Sequence, residues 1–533
     1  MRGLGALVRR APRRSYQRWL EAHVRGRRHV RRLEPRPGLF SLLTCVWDGS
    51  PPGFLAEAAA SVRAQTWSRF EWVVLDNGCR GEGVRAALEE IACDGRVRLV
   101  RAEENVGILG GLRRCLEEAG GEYVLPLDAD DVLLPDALHV QAWALEEAGY
   151  PRLAYSDEDV LAPEGPSAPY LRPDWDPVLN LCCSYVFHLC AFGRREALEL
   201  GVYEDRRIEW TQDWDAVTRF AAAGHVPLHV PGVLYHWRAH ERSSTNQARP
   251  ERGSLESQRV LLERELARRD SPELYTLEPW PVPRGVDEWW IRRVRRQPRS
   301  LSAVVTAGDR SVGNAASARL CERAAYPIEP EGVAADVAEL RALVAAAPGD
   351  LVLVQDAHVT LEGDEWPWEA LGLFELHPDV AVVAGRILDP RRTVIGGGEI
   401  FGFGGTAGTP DRGLGERDGG PWSIALKQRS VSAPHRSLFV AEQAFLAAAL
   451  ASLPAEATLE LLGAWVGAEA AARGRRVAFT PLVQAAALAG FAEPEPAHAE
   501  EAAFRRRHPT LVPDTRWYSR FLDRASGYAL GAP

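Results

Sequence analysis

The sequence predicts an α/β fold: a doubly wound, mostly parallel sheet with flanking helices, in two tandem copies. Short apolar runs alternate with helical stretches from residue 38 onward, and the alternation resumes at about residue 301 after a charged connection. This order is typical of parallel strands joined by crossover helices. Ligands of such sheets bind beyond the carboxyl ends of the strands, so polar residues at those ends are the first candidates for a site.

The elements of the first copy follow from the lengths and periodicities of these runs. A short apolar run predicts a buried strand, and a longer stretch with apolar residues three or four apart predicts a helix. Asn77-Gly78 is a turn signal that closes the second strand. The predicted strands cover residues 39–47, 70–76, 97–102 and 122–127, and the connecting helices cover residues 53–66, 83–92 and 110–119.

Two anchors indicate that the second region repeats the first. YVLPLDADDVLLPDAL (123–138) aligned with LVLVQDAHVTLEGDEW (351–366) shares Val, Leu, Asp, Ala, Leu and Asp. In each copy a glycine, Gly224 or Gly474, is followed seven residues later by proline and nine residues later by valine. Both matches in the same order favour a duplicated fold.

The predicted domain organisation has five parts. They are a basic helical N-terminal segment (1–37), a first α/β domain (38–245), a linker (246–300), a second α/β domain (301–490) and a helical C-terminal tail (491–533).

Composition excludes several classes of protein. The net charge of −10 argues against a nucleic-acid binder. Eight cysteines without a CxxC pair form neither a disulfide framework nor a zinc-ligand spacing, which favours the reducing cytoplasm. No run approaches the ~18 apolar residues of a membrane span, and the N-terminus lacks the apolar core of a secretory signal.

The N-terminal segment carries twelve arginines in residues 1–37 and can form a basic helix over residues 15–33. Two interpretations stay open. Its arginines and interspersed apolar residues suit peripheral contact with anionic lipid at the inner face of the membrane. Alternatively, it is a solvated helix that leads into the first domain.

An acidic cluster, Asp128-Ala129-Asp130-Asp131, follows the fourth predicted strand. Asp128 and Asp130 suit a hard divalent cation, Mn²⁺ or Mg²⁺, which takes oxygen ligands and often substrate phosphates. Asp131 is either a further ligand or a cap of the helix that begins near Pro135. The alternative for the whole cluster is an acidic turn with a helix cap. The acids at 157–159 form a second acidic turn at the same sheet end and so favour a polar site there, although each one alone is interpreted as a solvated loop carboxylate.

The stretch 209–245 adds a second group of candidates. Asp213 opens a predicted helix, where it is either a partner of the helix dipole or a general base. Tryptophans at 210, 214 and 237 suit sugar rings and protein cores equally well. His236, Arg238 and His240 are candidates for contact with phosphates or a metal.

Eight motifs in order from residue 39 to 245 resemble glycosyltransferase family 2, the inverting enzymes with a GT-A (Rossmann-like) fold. They are LLTCVWD, ASVRAQTW, VVLDNG, ENVG, GEYVLPLDADDVLLPDAL, RPDWDPVLN, TQDWD and LYHWRAHERSST. The resemblance implies a nucleotide-diphosphate-sugar donor and a glycan or lipid-linked acceptor, in surface polysaccharide synthesis at the cell envelope.

The resemblance also implies roles for individual residues. Asp213 is the catalytic base, and Asp128, Asp130 and His240 hold the Mn²⁺ or Mg²⁺ ion. Residues expected to bind the nucleotide-sugar are Thr44, Val46, Asp48, Asp76, Asp128 and Arg238. The pattern departs from the family at Leu112-Arg113, where an Arg-Asn pair is common, at Cys45, where a proline is common, and at Gln212, where an acid is common.

The second copy resembles the family more faintly and lacks its functional residues. His358 stands in the place of Asp130, and Gly463 stands in the place of Asp213. We therefore expect a degenerate domain that binds acceptor glycan or a partner.

Two other classes compete with the transferase. A non-catalytic glycan-binding or scaffold protein would not need Asp128, Asp130 and Asp213. A sugar-phosphate nucleotidyltransferase would need a glycine-rich loop at the first strand, which LLTCVWDGSPPG does not supply.

Overall fold

The computed structural model describes residues 13–27, 33–240, 252–281, 288–323, 326–492 and 496–533. These residues form two compact units. Among them, unit 1 comprises the chain as far as Trp175, Ser184–Arg264 and Ala532–Pro533, and unit 2 comprises Asp176–Cys183 and Glu265–Gly531. The chain thus leaves unit 1 for eight residues, which pack in unit 2.

The helices and strands are numbered in chain order. Up to residue 240 they are α1 (Arg13–Gly26), β1 (Phe40–Val46), α2 (Pro52–Arg63), β2 (Phe70–Asn77), α3 (Glu82–Ala92), β3 (Val97–Ala102), α4 (Gly107–Glu118), β4 (Tyr123–Pro126), β5 (Val132–Leu133), α5 (Ala137–Glu147), β6 (Leu153–Ala162), β7 (Gly165–Tyr170), α6 (Pro177–Cys182), β8 (Cys190–Gly193), α7 (Arg194–Glu199), α8 (Gln212–Ala222) and β9 (Leu228–Arg238).

The later elements are α9 (Arg252–Ala267), β10 (Tyr275–Pro279), β11 (Trp289–Arg293), β12 (Leu301–Thr306), α10 (Arg310–Arg323), β13 (Ile328–Ala334), α11 (Val337–Ala346), β14 (Leu351–Asp356), β15 (Val359–Leu361), α12 (Trp366–Leu376), β16 (Val380–Leu388), β17 (Val394–Gly396), β18 (Ile400–Phe401), β19 (Ala407–Gly408), β20 (Arg429–Val431), β21 (Leu438–Glu442), α13 (Gln443–Ser452), α14 (Leu462–Ala472), β22 (Arg476–Ala487) and α15 (His498–Arg507).

The sheet of unit 1 has the strand order β3-β2-β1-β4-β8-β6-β9-β5, with β7 beside β6. The four strands predicted from the sequence are β1 to β4, and they pair in parallel as expected. A buried threonine joins three segments of this half: Thr44 Oγ1 donates to the Leu127 carbonyl and accepts from Trp72 Nε1, both at 2.8 Å. Beyond β4, strand β8 runs antiparallel to both of its neighbours.

The sheet of unit 2 repeats this topology, with the order β13-β12-β14-β21-β16-β22-β15. Each pair has the same sense as its equivalent: β12–β14 is parallel like β1–β4, β14–β21 antiparallel like β4–β8, and β16–β22 parallel like β6–β9. Among the described residues of unit 2, the edge strand β3 has no equivalent. Strand order is independent of the sequence anchors, so the predicted α/β fold in two tandem copies is confirmed.

The basic helix α1 is not solvated on all sides, because one of its faces packs within unit 1. Tyr16, Trp19, Leu20 and His23 are buried, and Tyr16 Oη donates to Asp159 Oδ2 at 2.5 Å. The exposed face carries Arg14, Arg18 and Arg25. Residues 1–12 and 28–32 of the predicted basic segment lie outside the described residues.

The stretch expected to be a linker contains α9 and the antiparallel hairpin β10–β11, with Trp290 and Ile291 of β11 buried. The C-terminal stretch contains the single helix α15 and an irregular segment, and its Phe504 and Tyr518 belong to the core of unit 2. Throughout the described part of the chain, every helix is too short or too polar to span a bilayer.

Candidate active site

The candidate site lies in unit 1, where strands β1, β2 and β4 end. Thr44 and Val46 are fully buried in β1, and their contact with a nucleotide-sugar stays a prediction. Asp76 is the penultimate residue of β2, and Asp128 comes two residues after β4. These strands are neighbours and parallel, so Thr44, Val46, Asp48, Asp76 and Asp128 come from one edge of the sheet, whereas Arg238 and His240 come from the end of β9.

Asp48 and Asp76 both hold the turn that precedes α3. Asp48 Oδ1 accepts hydrogen bonds from the backbone N–H groups of Arg80 and Gly81 at 2.8 and 2.9 Å. Asp76 Oδ1 accepts from the Cys79 N–H at 2.9 Å. The bonds from Gly81 and then Arg80 lower the pKa of Asp48. Both acids are therefore fixed in place at the strand ends, and their contact with a nucleotide stays a prediction.

Asp128 lies beside a histidine that the sequence analysis did not select. Half of the Asp128 side chain is exposed, and its Oδ2 is 3.8 Å from Nε2 of His188. Desolvation raises the pKa of Asp128 to about 6; the charge of His188 lowers it, and the charges of Asp130 and Asp213 raise it further. The protein concentrates negative charge here, as expected where a cation binds.

Asp130 and His240 lie together, and their joint role as metal ligands stays a prediction. Asp130 Oδ2 and His240 Nε2 are 2.7 Å apart, and the His240 ring lies 5.3 Å from the ring of Phe54. Residues 241–245, the end of the last family motif, lie outside the described residues. Asp130 and His240 thus present an oxygen and a nitrogen ligand together.

Asp131 does not cap a helix, because Asp136 occupies the N-cap position of α5. Asp131 is buried instead, and it accepts hydrogen bonds from Tyr235 Oη at 2.5 Å and from the Arg238 N–H at 2.7 Å. Burial, followed by the charges of Asp128 and Asp130, raises its pKa. Asp131 therefore anchors the acidic turn to β9.

Arg238 also holds the acidic turn. Its Nε donates to the Asp130 carbonyl at 2.6 Å, its Nη2 donates to Glu57 Oε2 at 2.6 Å, and its guanidinium lies 4.4 Å from the ring of Phe54. Its role in binding the nucleotide-sugar stays a prediction. His236 is directed elsewhere, since its Nδ1 is 2.5 Å from Asp159 Oδ1.

Asp213 is in the first turn of α8, as predicted, and its side chain is partly exposed. Burial raises its pKa, His188 lowers it and Glu158 raises it further. A carboxylate with a raised pKa is a stronger base. Of the three nearby tryptophans, Trp214 is buried, whereas Trp210 is 48% exposed.

The acids at 157–159 are not loop carboxylates, because all three lie in β6 and are buried. Each has a partner that compensates its burial. Asp157 pairs with His229 at 3.0 Å, Glu158 with Arg172 at 3.1 Å, and Asp159 with His236 and Tyr16. Carboxylates are buried at acceptable cost only when paired in this way.

The candidate site therefore includes His188, which the sequence analysis missed. Its Nδ1 is 3.1 Å from Glu158 Oε2, and its ring stacks on Tyr235 with centroids 4.5 Å apart. Burial lowers the pKa of His188, but the hydrogen bond and charge of Glu158 and the charge of Asp128 raise it to about 10. His188 is a lone histidine in the apolar run SYVFHLCAFG, and no spacing to other polar residues in that run identifies it as part of a site.

The chemistry of the donor set fits a divalent cation. Asp128 and Asp130 offer carboxylate oxygens at an accessible turn, and His240 adds an imidazole nitrogen. Ligand atoms of Asp128, Asp131 and His188 also lie within 4.8 Å of one another. The set that the resemblance implies is Asp128, Asp130 and His240, in which Asp130 and His240 are partners of each other at 2.7 Å.

The equivalent position in unit 2 lacks these features. Asp356 ends β14, but its Oδ1 accepts from the backbone N–H of His358 at 2.8 Å, and its Oδ2 is 3.6 Å from Arg436. A Cβ atom on Gly463, the counterpart of Asp213, would lie 2.1 Å from the Pro434 carbonyl oxygen. The backbone of unit 2 thus occupies the space that a catalytic carboxylate would need.

The sequence of unit 1 matches a known family. Residues 41–201 match the model of "Glycosyl transferase family 2". The chain is 27% identical over 415 residues to an uncharacterized protein, y4gI, of Sinorhizobium fredii, an alignment that covers 71% of this chain and 45% of that protein. It is 31% identical over 220 residues to the O-antigen biosynthesis protein RfbC of Myxococcus xanthus, covering 41% of this chain and 17% of RfbC.

The chain thus spans less than half the length of these two relatives. Among solved structures, TarS 1-349 of S. aureus in complex with UDP-GlcNAc is 17% identical, with a TM-score of 0.36, and the match covers 44% of this chain and 67% of that one. The resemblance to the family that the ordered motifs indicate is confirmed by the family model and these relatives. Residues 41–201 of unit 1 are thus similar in sequence to glycosyl transferase family 2.

Proposed function

We propose that unit 1 is an inverting glycosyltransferase that moves a sugar from a nucleotide-diphosphate-sugar to a hydroxyl of a glycan or lipid-linked acceptor in surface polysaccharide synthesis. The observation that carries this proposal is that Asp128 and Asp130, the latter paired with His240, lie in one acidic turn, near enough to Asp213 for its charge to raise the pKa of Asp128. The biosynthetic role of RfbC and the UDP-GlcNAc bound to TarS, by their printed names, support the substrate class.

The mechanism assigns one task to each group of residues. A bound Mn²⁺ or Mg²⁺ ion would neutralise the charge that develops on the departing diphosphate. Asp128, Asp130 and His240 would hold that ion. Asp213 accepts the proton of the acceptor hydroxyl while that oxygen bonds to the anomeric carbon. The bond from this carbon to the diphosphate oxygen breaks with its electron pair, and the anomeric configuration inverts.

The fixed residues around this group reduce the motion needed for reaction. Asp131, Tyr235 and Arg238 tie the acidic turn to β9, and Asp48 ties the end of β1 to the turn before α3. Preorganised groups lower the entropic part of the barrier because donor and acceptor meet in one geometry.

A donor panel tests this proposal. Purified protein is incubated with UDP-, GDP- and dTDP-sugars and Mn²⁺ or Mg²⁺, and hydrolysis and transfer are scored. Asp213→Asn should lower the rate about 10²- to 10⁴-fold, the usual contribution of a general base. Asp130→Asn should do the same through loss of the ion. The matched change in unit 2, Asp356→Asn, should leave activity intact. Activity that survives Asp213→Asn but not Asp356→Asn would refute the assignment.

We propose that unit 2 is a degenerate, non-catalytic copy. The Gly463 backbone contact supports this, since no side chain fits at the position of the base, and Arg436 supplies the Asp356 carboxylate with a cation from the protein itself. Binding of acceptor glycan or of a partner is the role that we assign to it. Calorimetry tests this role. It compares the affinity for the reaction product of the unit 1 variant Asp213→Asn with that of the double variant Asp213→Asn/Arg436→Ala.

We further propose a cytoplasmic location with peripheral contact to an anionic membrane through the basic N-terminal segment. Trp19 and Leu20 are buried in the fold, so contact would rest on the exposed arginines Arg14, Arg18 and Arg25. The protein should float with vesicles containing phosphatidylserine at low salt. It should not float with them in 1 M salt, because the Debye length is then only about 3 Å and the attraction is screened. Salt-resistant flotation would contradict it.

A further inference from the structure

The RPDWDPVLN motif resembles the family pattern but has no role in the mechanism above. Its first residue, Arg172, is fully buried in unit 1. Its guanidinium donates to the carbonyls of Tyr185 at 2.7 Å, Ser156 at 2.6 Å and His188 at 3.0 Å. A buried arginine is costly unless compensated, so this density of partners indicates a specific task.

From Arg172 a chain of polar contacts leads to the acidic turn. Arg172 Nη2 is 3.1 Å from Glu158 Oε1, and the other oxygen of that carboxylate is 3.1 Å from His188 Nδ1. The opposite ring nitrogen, Nε2, lies 3.8 Å from Asp128 Oδ2. Arg172 and Glu158 are buried, and His188 is 15% exposed, so the contacts run from the interior to the cleft.

The His188 ring is also fixed from its face. It stacks on Tyr235 at an interplanar angle of 9°, and Tyr235 Oη donates to Asp131 and accepts from the backbone N–H of Asp128 at 3.4 Å. The edge of the ring meets Phe187 at 76° with centroids 5.5 Å apart. With one nitrogen bonded and its face stacked, the ring has one orientation, and its second nitrogen faces Asp128.

Unit 2 provides an independent comparison. In unit 2, Asp356 is the counterpart of Asp128, and β21 is the counterpart of β8. Arg436 stands two residues before β21, and its guanidinium is 3.6 Å from Asp356. His188 stands two residues before β8. In both units the residue two positions before this antiparallel strand contacts the equivalent acid. It is a histidine in unit 1, which has Asp213, and an arginine in unit 2, which has glycine at that position.

We propose that His188 is a positioning residue of unit 1 that orients the Asp128 carboxylate toward the divalent cation, and that Arg172 and Glu158 hold His188 in place. This rests on the proposed function, because it takes Asp128 as a cation ligand. Groups that orient a metal ligand change metal affinity about 10- to 100-fold when they are removed. His188 therefore acts on the cation through Asp128.

The test measures the affinity for Mn²⁺ alone, by electron paramagnetic resonance of the free ion, in the full-length protein. His188→Ala and Glu158→Gln should each weaken binding about 10- to 100-fold. His188→Arg should also weaken it, because the longer guanidinium side chain could reach the Asp128 carboxylate and occupy it, as Arg436 pairs with Asp356. His229→Gln, which breaks another buried histidine–carboxylate pair, is the matched control and should leave Mn²⁺ affinity unchanged.

The outcomes separate the two proposals. Weaker binding in His188→Ala and Glu158→Gln, with circular dichroism unchanged, supports the positioning role. Binding within twofold of wild type in both overturns it and leaves the proposed function standing. Absence of Mn²⁺ binding in the wild type, or binding that Asp130→Asn does not alter, counts against the proposed cation site and so against both. If His188→Ala does not fold, His188→Gln provides the comparison, because its amide can still donate to Glu158.

Discussion

Asp176 should be among the most sensitive single positions in unit 2. It is the N-cap residue of α6, and its Oδ1 accepts from the Val178 N–H at 3.0 Å. It also accepts from the N–H and hydroxyl of Ser430 in β20, both at 2.6 Å. Asp176 is 1% exposed, so no water replaces it when it is removed. Asp176→Ala is therefore expected to detach α6 from β20.

The magnitude follows from the groups left behind. The change leaves two buried N–H donors, of Val178 and Ser430, without an acceptor, at about 1–3 kcal/mol each. It also removes the charge near Arg476, 3.9 Å away. We expect unfolding of unit 2 to become easier by about 3–5 kcal/mol, as when a buried charged partner is removed.

Urea unfolding, with the transitions of the two units fitted separately, measures this loss, and hydrogen exchange of the Ser430 amide should accelerate. Asp379→Ala is the matched control: Asp379 also pairs with Arg476, at 2.9 Å, but its side chain is 45% exposed. An exposed pair contributes about 1 kcal/mol at most. Equal losses in Asp176→Ala and Asp379→Ala would refute the reasoning.

Two further predictions concern unit 2. Gly463→Ala should lower the free energy of unfolding by about 1–3 kcal/mol, since the new methyl group meets the Pro434 carbonyl. The control Gly308→Ala has open space around its Cβ position and should not lower it. Equal melting temperatures of the two variants would contradict the close contact at Gly463. Burial and then the charges of two arginines lower the pKa of His377 to about 3, below its unfolded value of about 6.5, so the unfolded chain binds the extra proton. Stability is then unaffected above pH about 6.5 and falls by about 1.4 kcal/mol per pH unit toward pH 3, or about 2 kcal/mol at pH 5. His377→Gln should remove this part of the acid sensitivity, whereas the fully exposed His498→Gln should not; identical pH profiles of unfolding would refute the assignment.

The parallel half of the fold could be predicted because its strands are short apolar runs bounded by turns. The direction of β8 could not, since the four residues of CAFG have no local signal for their neighbours or their sense. The duplication was detectable from Asp356 and Gly474, and strand order confirmed it.

In the site, Asp128, Asp130 and Asp213 could be predicted because they lie in ordered motifs at the ends of strands and helices. The burial of Glu158 could not be predicted because an acidic triplet is usually solvated. The partners of residues 157–159, which include Arg172, His229, His236 and Tyr16, come from segments distant in sequence. His188 could not be predicted for the same reason, because its contacts with Glu158 and Tyr235 join residues that are distant in the sequence.

The position of α6 also bears on how the protein is synthesised. The contact from Asp176 to Ser430 joins residues 254 positions apart, and α6 packs in unit 2 although its chain neighbours on both sides pack in unit 1. At about 5–20 residues per second, α6 must wait roughly 13–50 s on the ribosome before its partner strand exists. Unit 1 can assemble before β20 exists, which leaves Val178 and Leu179 as an apolar segment open to chaperones until β20 has been synthesised.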